Sequence, residues 1–238
     1  MISPSVRDPY KNRVLASFPL DEIARIAPHL LPLTFKSGQI LHEAGQVVET
    51  IYFPEDAICS LVTPLKDGSM LEAGIIGRDG FVGTAALLGT GHSLLQSMIQ
   101  LPGRGFSIPA KVLLDPSSPY PEKVRRSMNR SVHALLAQTA QTAACNRVHG
   151  LEERLARWLL MCHDRKQSDE VHITHEFLAV MLGTGRTTVT QTANLLRSVG
   201  LIEHSRGRLT IKDRQALEGA ACECYTVVHR EYVRLGLL

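Results

Sequence analysis

The chain has 238 residues, 44% of them hydrophobic and 21% charged, with a formal net charge of +3. These proportions belong to a globular protein with a sizeable core and exclude a disordered one. No apolar run approaches the roughly eighteen residues of a membrane span, and the opening MISPSVRDPYKNR lacks the apolar middle of a secretory signal, so a cytoplasmic protein without membrane contact is expected.

The first element is a short helix in PLDEIARIAPHLL, with Asp21 and Glu22 in its first turn, where the helix dipole favours acids. From there to about Pro109 glycines punctuate short β-branched and aromatic runs such as QILHEAG, TIYFPEDAICSLVTPL and MLEAGIIG. With KDGS as a hairpin signal, this region predicts a compact antiparallel β unit. A stretch from Glu122 to His149 then lacks proline and glycine, follows Pro121, and predicts one long helix. Met128, Val132, Leu135, Leu136, Thr139 and Ala143 recur along it at spacings of three and four. That stripe is expected to form a two-helix dimer seam, with the other side of the helix against the β unit. A plain connecting helix is the alternative.

Beyond NRVHG, LEERLARWLLMCHDR predicts an amphipathic helix and QSDEVHIT a short strand. Thr174 suits the N-cap of HEFLAVMLG, Gly183 stops that helix, and Arg186 opens the next, which ends at Gly200. LIEHSRGRLTI predicts two strands around Arg206-Gly207, a basic hairpin. Helix, glycine turn, helix and basic hairpin make a winged helix-turn-helix.

In MLGTGRTTVTQTANLLRSVG the apolar Val189, Ala193 and Leu196 mark a buried stripe. Positions 186, 187, 190, 191, 194 and 197 share the opposite face and carry no acid. Between residues 186 and 214 there are six basic residues and two acids. A solvated polar face is the ordinary explanation. The basic hairpin and the long helix favour DNA instead: Arg186, Thr187 and Gln191 near the helix start are expected to contact base edges. Thr174, Thr188, Thr190, Arg197, Arg206 and Arg208 are expected to contact the phosphate backbone.

The five cysteines, Cys59, Cys145, Cys162, Cys222 and Cys224, are scattered and odd in number, which fits reduced thiols. The single-residue gap of Cys222 and Cys224 suits a shared metal poorly, and the ten histidines show no haem-ligand spacing. No metal or cofactor is expected. An enzyme is not expected either: no Ser-His-acid grouping stands out, and GTGRTT lacks the lysine of a phosphate loop.

The order of parts resembles the Crp/Fnr family of bacterial transcription regulators over nearly the whole chain. ITHEFLAVMLGTGRTTVTQTANLLRSVGLI is similar to that family's helix-turn-helix, and KSGQILHEAG, IYFPEDAICSLV and GRDGFVG are similar to its β-roll. The resemblance implies an α+β fold: an antiparallel, jelly-roll-like sensor in residues 1–118, a dimerisation helix and hinge in 119–149, and a winged helix-turn-helix in 150–238. It implies a homodimer on palindromic double-stranded DNA, and it admits RNA polymerase and a small-molecule effector of unknown identity as partners. Arg186 falls where members place a guanine-reading arginine. Thr187 stands where many have glutamate and Gln191 where many have a second arginine, so a changed half-site is expected.

Where cyclic-nucleotide-binding members carry Gly-Glu and Arg-Ser or Arg-Thr, this chain has Gly83-Thr84 and Gln96-Ser97. A neutral amide lacks the charge-assisted fork that a buried phosphate requires. Control by cyclic AMP in the family manner is therefore not expected. Thr139 corresponds to a nucleotide-touching position and either lines a remodelled pocket or fills the dimer seam. A small-molecule-binding module whose helix-turn-helix serves protein contacts is the competing function.

Overall fold

The computed structural model describes residues 10–118, 121–205 and 207–238. Asn12 caps α1 (Arg13–Ala16), its side chain accepting from the amides of Val14 and Leu15. Its amide nitrogen donates to the carbonyls of Pro54 (2.7 Å) and Gly80 (2.8 Å), which pins the first turn to the β unit. Helix α2 (Leu20–Ile26) carries Asp21 and Glu22 in its first turn, as expected.

The β unit follows as β1 (Leu31–Phe35), β2 (Ile40–His42), β3 (Thr50–Pro54), β4 (Ile58–Pro64), β5 (Met70–Ile76), the single turn α3 (Thr84–Leu87), β6 (Gln96–Leu101) and β7 (Gly103–Pro109). Its two antiparallel sheets run in the orders β1-β7-β3 and β2-β6-β4-β5. KDGS is the turn between β4 and β5, closed by the Leu65 amide on the Ser69 carbonyl (2.8 Å). Phe35, Leu41, Cys59, Ile76, Val82 and Ile99 fill one core, and Ile51, Phe53, Phe81 and Ile108 help fill another beneath α1. Gly105 is required where β7 pairs with β3, since a Cβ there would lie 2.4 Å from the Phe53 carbonyl. Helix α4 (Ala110–Leu113) leads out of the roll.

Helix α5 (Pro121–Val148) spans 28 residues. Val124, Met128, Ser131, Ala134, Gln138, Thr142 and Cys145 recur at three- and four-residue spacing and are buried within the chain itself. This corrects one member of the expected seam. Met128 is fully buried in the roll-side core, so it does not face a second copy. Val132, Leu135 and Thr139 are half-buried and line a cavity of the roll, while Leu136 and Ala143 lie exposed. Apolar spacing on a long helix marks burial without telling whose surface does the burying.

The C-terminal part comprises α6 (Leu151–Lys166), β8 (Glu170–His172), α7 (His175–Leu182), α8 (Arg186–Ser198), β9 (Ile202–Ser205), β10 (Arg208–Ile211), α9 (Arg214–Ala220) and α10 (Glu223–Arg234). Its sheet runs β8-β10-β9. Trp158, Leu159, Leu178, Val189, Ala193, Leu196 and Leu209 share one core.

Three buried polar contacts join this part to the roll and to α5. The Trp158 indole donates to Glu72 Oε1 (3.1 Å), Arg165 pairs with Asp79 (2.7 Å), and Gln138 bonds both the Ile75 backbone and the Tyr232 hydroxyl (2.9 Å). Among the described residues no helix is long and apolar enough to cross a membrane.

Candidate nucleic-acid interface

The helix-turn-helix is built from local signals. The Thr174 hydroxyl oxygen accepts from the Phe177 amide (3.2 Å) and starts α7. Gly183 ends it in the left-handed region (φ 60°), where a β-carbon would be strained. A Cβ at Gly183 would also meet Leu71 Cδ1 of the roll at 2.7 Å, so the turn sits against the β4–β5 hairpin. Gly185 precedes α8 without a side-chain cap, leaving the first α8 amides open to an anion.

Val189, Thr192, Ala193 and Leu196 bury one side of α8. Arg186, Thr187, Thr188, Gln191, Asn194 and Arg197 are exposed on the other. The base-contact candidates Arg186, Thr187 and Gln191 therefore lie together in the first two turns of an exposed, acid-free helix face. Arg197 occupies the last turn, about 16 Å away along the axis.

Thr190 departs from the expectation of a phosphate contact. It is half-buried, its hydroxyl donates to the Arg186 carbonyl (3.0 Å), and its oxygen lies 3.0 Å from His175 Nδ1. It braces the start of α8. His175 has its pKa lowered by burial, with the charges of His204 and Arg186 adding to the effect. His204 of the wing touches the His175 ring and lies 3.0 Å from Asn194 Oδ1, which ties α8 to the hairpin. A crevice of about 280 Å³ between α8 and the wing brings together Arg186, His175, His204 and Arg208. Arg208 is exposed, with Glu170 at 3.8 Å, and Thr174 is also exposed at the edge of this crevice. Arg206 lies outside the described residues.

A second cavity, of about 370 Å³, opens between the roll and α5. Gly83, Thr84 and Ser97 line it together with Val132, Leu135, Leu136 and Thr139. Its walls are otherwise leucines, alanine and isoleucine, with the hydroxyls of Thr90 and Ser93. Gln96 is not part of it, contrary to the expected pocket. Side chains alternate along β6, so Ser97 faces the cavity while Gln96 reaches outward to Glu43 Oε2 (2.7 Å). The lining contains no charged side chain. Such a cavity suits an uncharged, largely apolar molecule and opposes a phosphate.

Sequence reasoning missed one assembly altogether. Cys145, His149, Cys222 and Cys224 bring their ligand atoms within 4.8 Å of one another. The expectation that Cys222 and Cys224 make a poor shared site took that pair alone, whereas α5 supplies the other two groups. Cys145 and His149 are four residues apart and share one face of the helix end, a spacing that was available as a signal.

Residues 153–220 match the Crp-like helix-turn-helix domain. No curated protein matches the chain in sequence. Among solved structures, a putative transcriptional regulator of the Crp/Fnr family from Eubacterium rectale is 18% identical, covering 85% of this chain and 94% of its own, with a TM-score of 0.64. FixK2 from Bradyrhizobium japonicum is 15% identical, with 81% and 98% covered and a TM-score of 0.68. The c-di-GMP responsive global regulator CLP from Xanthomonas campestris is 17% identical, with 82% and 100% covered and a TM-score of 0.64. At such identities the likeness to solved structures is one of fold. The expected fold stands, and the family's helix-turn-helix domain is matched over residues 153–220.

Proposed function

From a chain that carries a Crp-like helix-turn-helix domain on the fold of the Crp/Fnr regulators, we propose a homodimeric, sequence-specific DNA-binding transcription regulator. It acts on palindromic operators and is not controlled by cyclic AMP. The observation that carries this reading is the exposed, acid-free face of α8, where Arg186, Thr187 and Gln191 sit at the helix start beside the wing. Arginine can pair twice with guanine, glutamine twice with adenine, and threonine can donate or offer its methyl to thymine. Thr174, Thr188, Arg197 and Arg208 hold the backbone on either side.

Dimerisation is supported by α5, which leaves Leu136, Ala140, Ala143, Ala144 and Val148 exposed along one side. Independence from cyclic AMP is supported by the uncharged cavity between the roll and α5. The same cavity supports the competing function, a small-molecule-binding module that contacts proteins through its helix-turn-helix.

Selection of binding sites from random double-stranded DNA, with purified protein and no added ligand, tests the reading. The expected outcome is a palindrome whose half-sites lie about one helical turn apart. A folded, dimeric protein with no salt-dependent DNA affinity would favour the competing function, because phosphate neutralisation would be missing.

A further inference from the structure

We propose that Cys145, His149, Cys222 and Cys224 form a structural zinc site that fastens the end of the long helix α5 to the start of α10. The donors are three sulfurs and one imidazole nitrogen, a set that suits tetrahedral Zn²⁺. Their spacing is close to what the ion requires. Zn–S bonds of about 2.3 Å place tetrahedral sulfurs about 3.8 Å apart. Cys145 Sγ lies 3.5 Å from Cys222 Sγ, and Cys224 Sγ lies 3.5 Å from His149 Nδ1. All five cysteines are free thiols, so no disulfide competes for these sulfurs.

The surroundings are those of a metal site as well. His149 presents Nδ1 to the sulfurs while its Nε2 lies 3.2 Å from the Glu223 carboxylate. A carboxylate behind a histidine fixes which ring nitrogen stays unprotonated for the metal. The Gln141 amide donates to Cys224 Sγ (3.1 Å), as a thiolate would favour. Arg154 and Arg157 lie beside the thiols with their Nε atoms buried and lacking hydrogen-bond partners. Among the described residues neither arginine forms a salt bridge, although Arg157 also feels Glu72. Three thiolates with one Zn²⁺ carry a net charge of −1, which offsets one of the two guanidinium charges, while Glu72 acts on Arg157. Neutral thiols would leave Glu72 alone to oppose the charge of the two guanidiniums.

The position gives the site a role. Cys145 lies in the last turn of α5 and His149 just past its end, next to Gly150, where the chain turns into α6. Cys222 caps α10 and Cys224 is in its first turn. A metal here closes a link across 77 residues and holds the junction between the long helix and the C-terminal part.

Zinc content of the full chain, purified in reducing buffer and dialysed exhaustively, is the direct test. One zinc per chain is expected. Cobalt(II) in its place should give sulfur-to-cobalt charge-transfer absorption and the intense visible bands of a tetrahedral centre. Cys222→Ser and His149→Ala should each weaken zinc binding at least tenfold, while Cys59→Ala, in the roll core, should keep one zinc. If those variants fail to fold, thiol alkylation of the native protein decides: three thiols should be protected with zinc and released by a chelator. Less than a tenth of a zinc per chain with no cobalt charge-transfer band would overturn the proposal. So would metal retained after all four residues are replaced, or a Cys145–Cys222 disulfide that persists in the reducing buffer.

Discussion

Arg165 of α6 and Asp79 of the roll pair at 2.7 Å with both side chains only 1% exposed. Arg165 also lies over the Tyr232 ring at 4.9 Å, and its Nη1 donates to the Met161 carbonyl (2.9 Å). Gly77 leaves room for it, since a Cβ there would come 2.8 Å from Arg165 Cβ. Burial pushes the Asp79 carboxyl up, and Arg165 opposes that rise. Removing one partner leaves the other as an isolated buried charge. Asp79→Ala should cost about 3–5 kcal/mol in urea unfolding, and Asp79→Ala with Arg165→Met should recover much of that loss. A double variant that loses the sum of the Asp79→Ala and Arg165→Met losses would show that the charges are not coupled.

Glu72 predicts a pH dependence. It is buried between Ser60 and Trp158, and burial pushes its carboxyl up to about 7. Ser60 has one hydroxyl proton yet lies 2.7 Å from both Glu72 Oε2 and Gln100 Oε1, so a proton on Glu72 satisfies both contacts. Unfolded, the same carboxyl ionises near its ordinary 4.5. Between those values the folded state holds the extra proton, so this group's contribution to stability falls as pH rises through the window and is flat above about 7. Glu72→Gln cannot ionise and should gain on the wild type as pH rises, by up to roughly 3 kcal/mol at pH 8 and little at pH 5. Urea unfolding at pH 5, 6.5 and 8 reads this directly, and parallel stability curves for the two proteins would contradict it.

The contrast between what was legible and what was not follows the range of the interactions. Thr174, Gly183 and Arg186 mark helix ends through local capping and backbone preference, and Val189, Ala193 and Leu196 share a face by period alone. Strand β6 shows the limit of such reasoning: Gln96 and Ser97 are neighbours, but the pleat sends one outward and the other into the cavity. Met128 has the right spacing for a seam and is buried by its own chain. Tyr225, Val228 and Tyr232 give α10 a readable stripe at spacings of three and four that sequence reading passed over. The four-ligand cluster depends on that helix returning to α5, a contact no local pattern contains.

Leu136 is 65% exposed at the middle of α5, and Ala140, Ala143 and Ala144 flank it on the same side. If a second copy covers this face, a two-fold axis places each substitution in the interface twice. Burying a leucine contributes about 1.5–3 kcal/mol, so Leu136→Glu should weaken the dimer by about 3 kcal/mol or more, over a hundredfold. Sedimentation equilibrium of the variant should show monomers with unchanged circular dichroism. A dimer of undiminished affinity would place the interface elsewhere.

Arg186 and Arg208 separate base reading from phosphate attraction. Arg186 stands at the α8 start, braced through its carbonyl by Thr190, while Arg208 projects from the wing on the far side of the crevice. Arg186→Ala should weaken binding to the selected operator by about 1–3 kcal/mol and flatten base preference at one position of each half-site. Arg208→Ala should weaken binding to all sequences alike and lower the slope of log affinity against log salt by about one for each phosphate that is no longer neutralised. Fluorescence anisotropy with matched and single-substituted operators over a salt series distinguishes the two. An Arg186→Ala protein that keeps its base preference would shift the reading role to Thr187 and Gln191. A change in base preference in Arg208→Ala would mean that the wing, too, reads sequence, directly or through the width of the groove it enters.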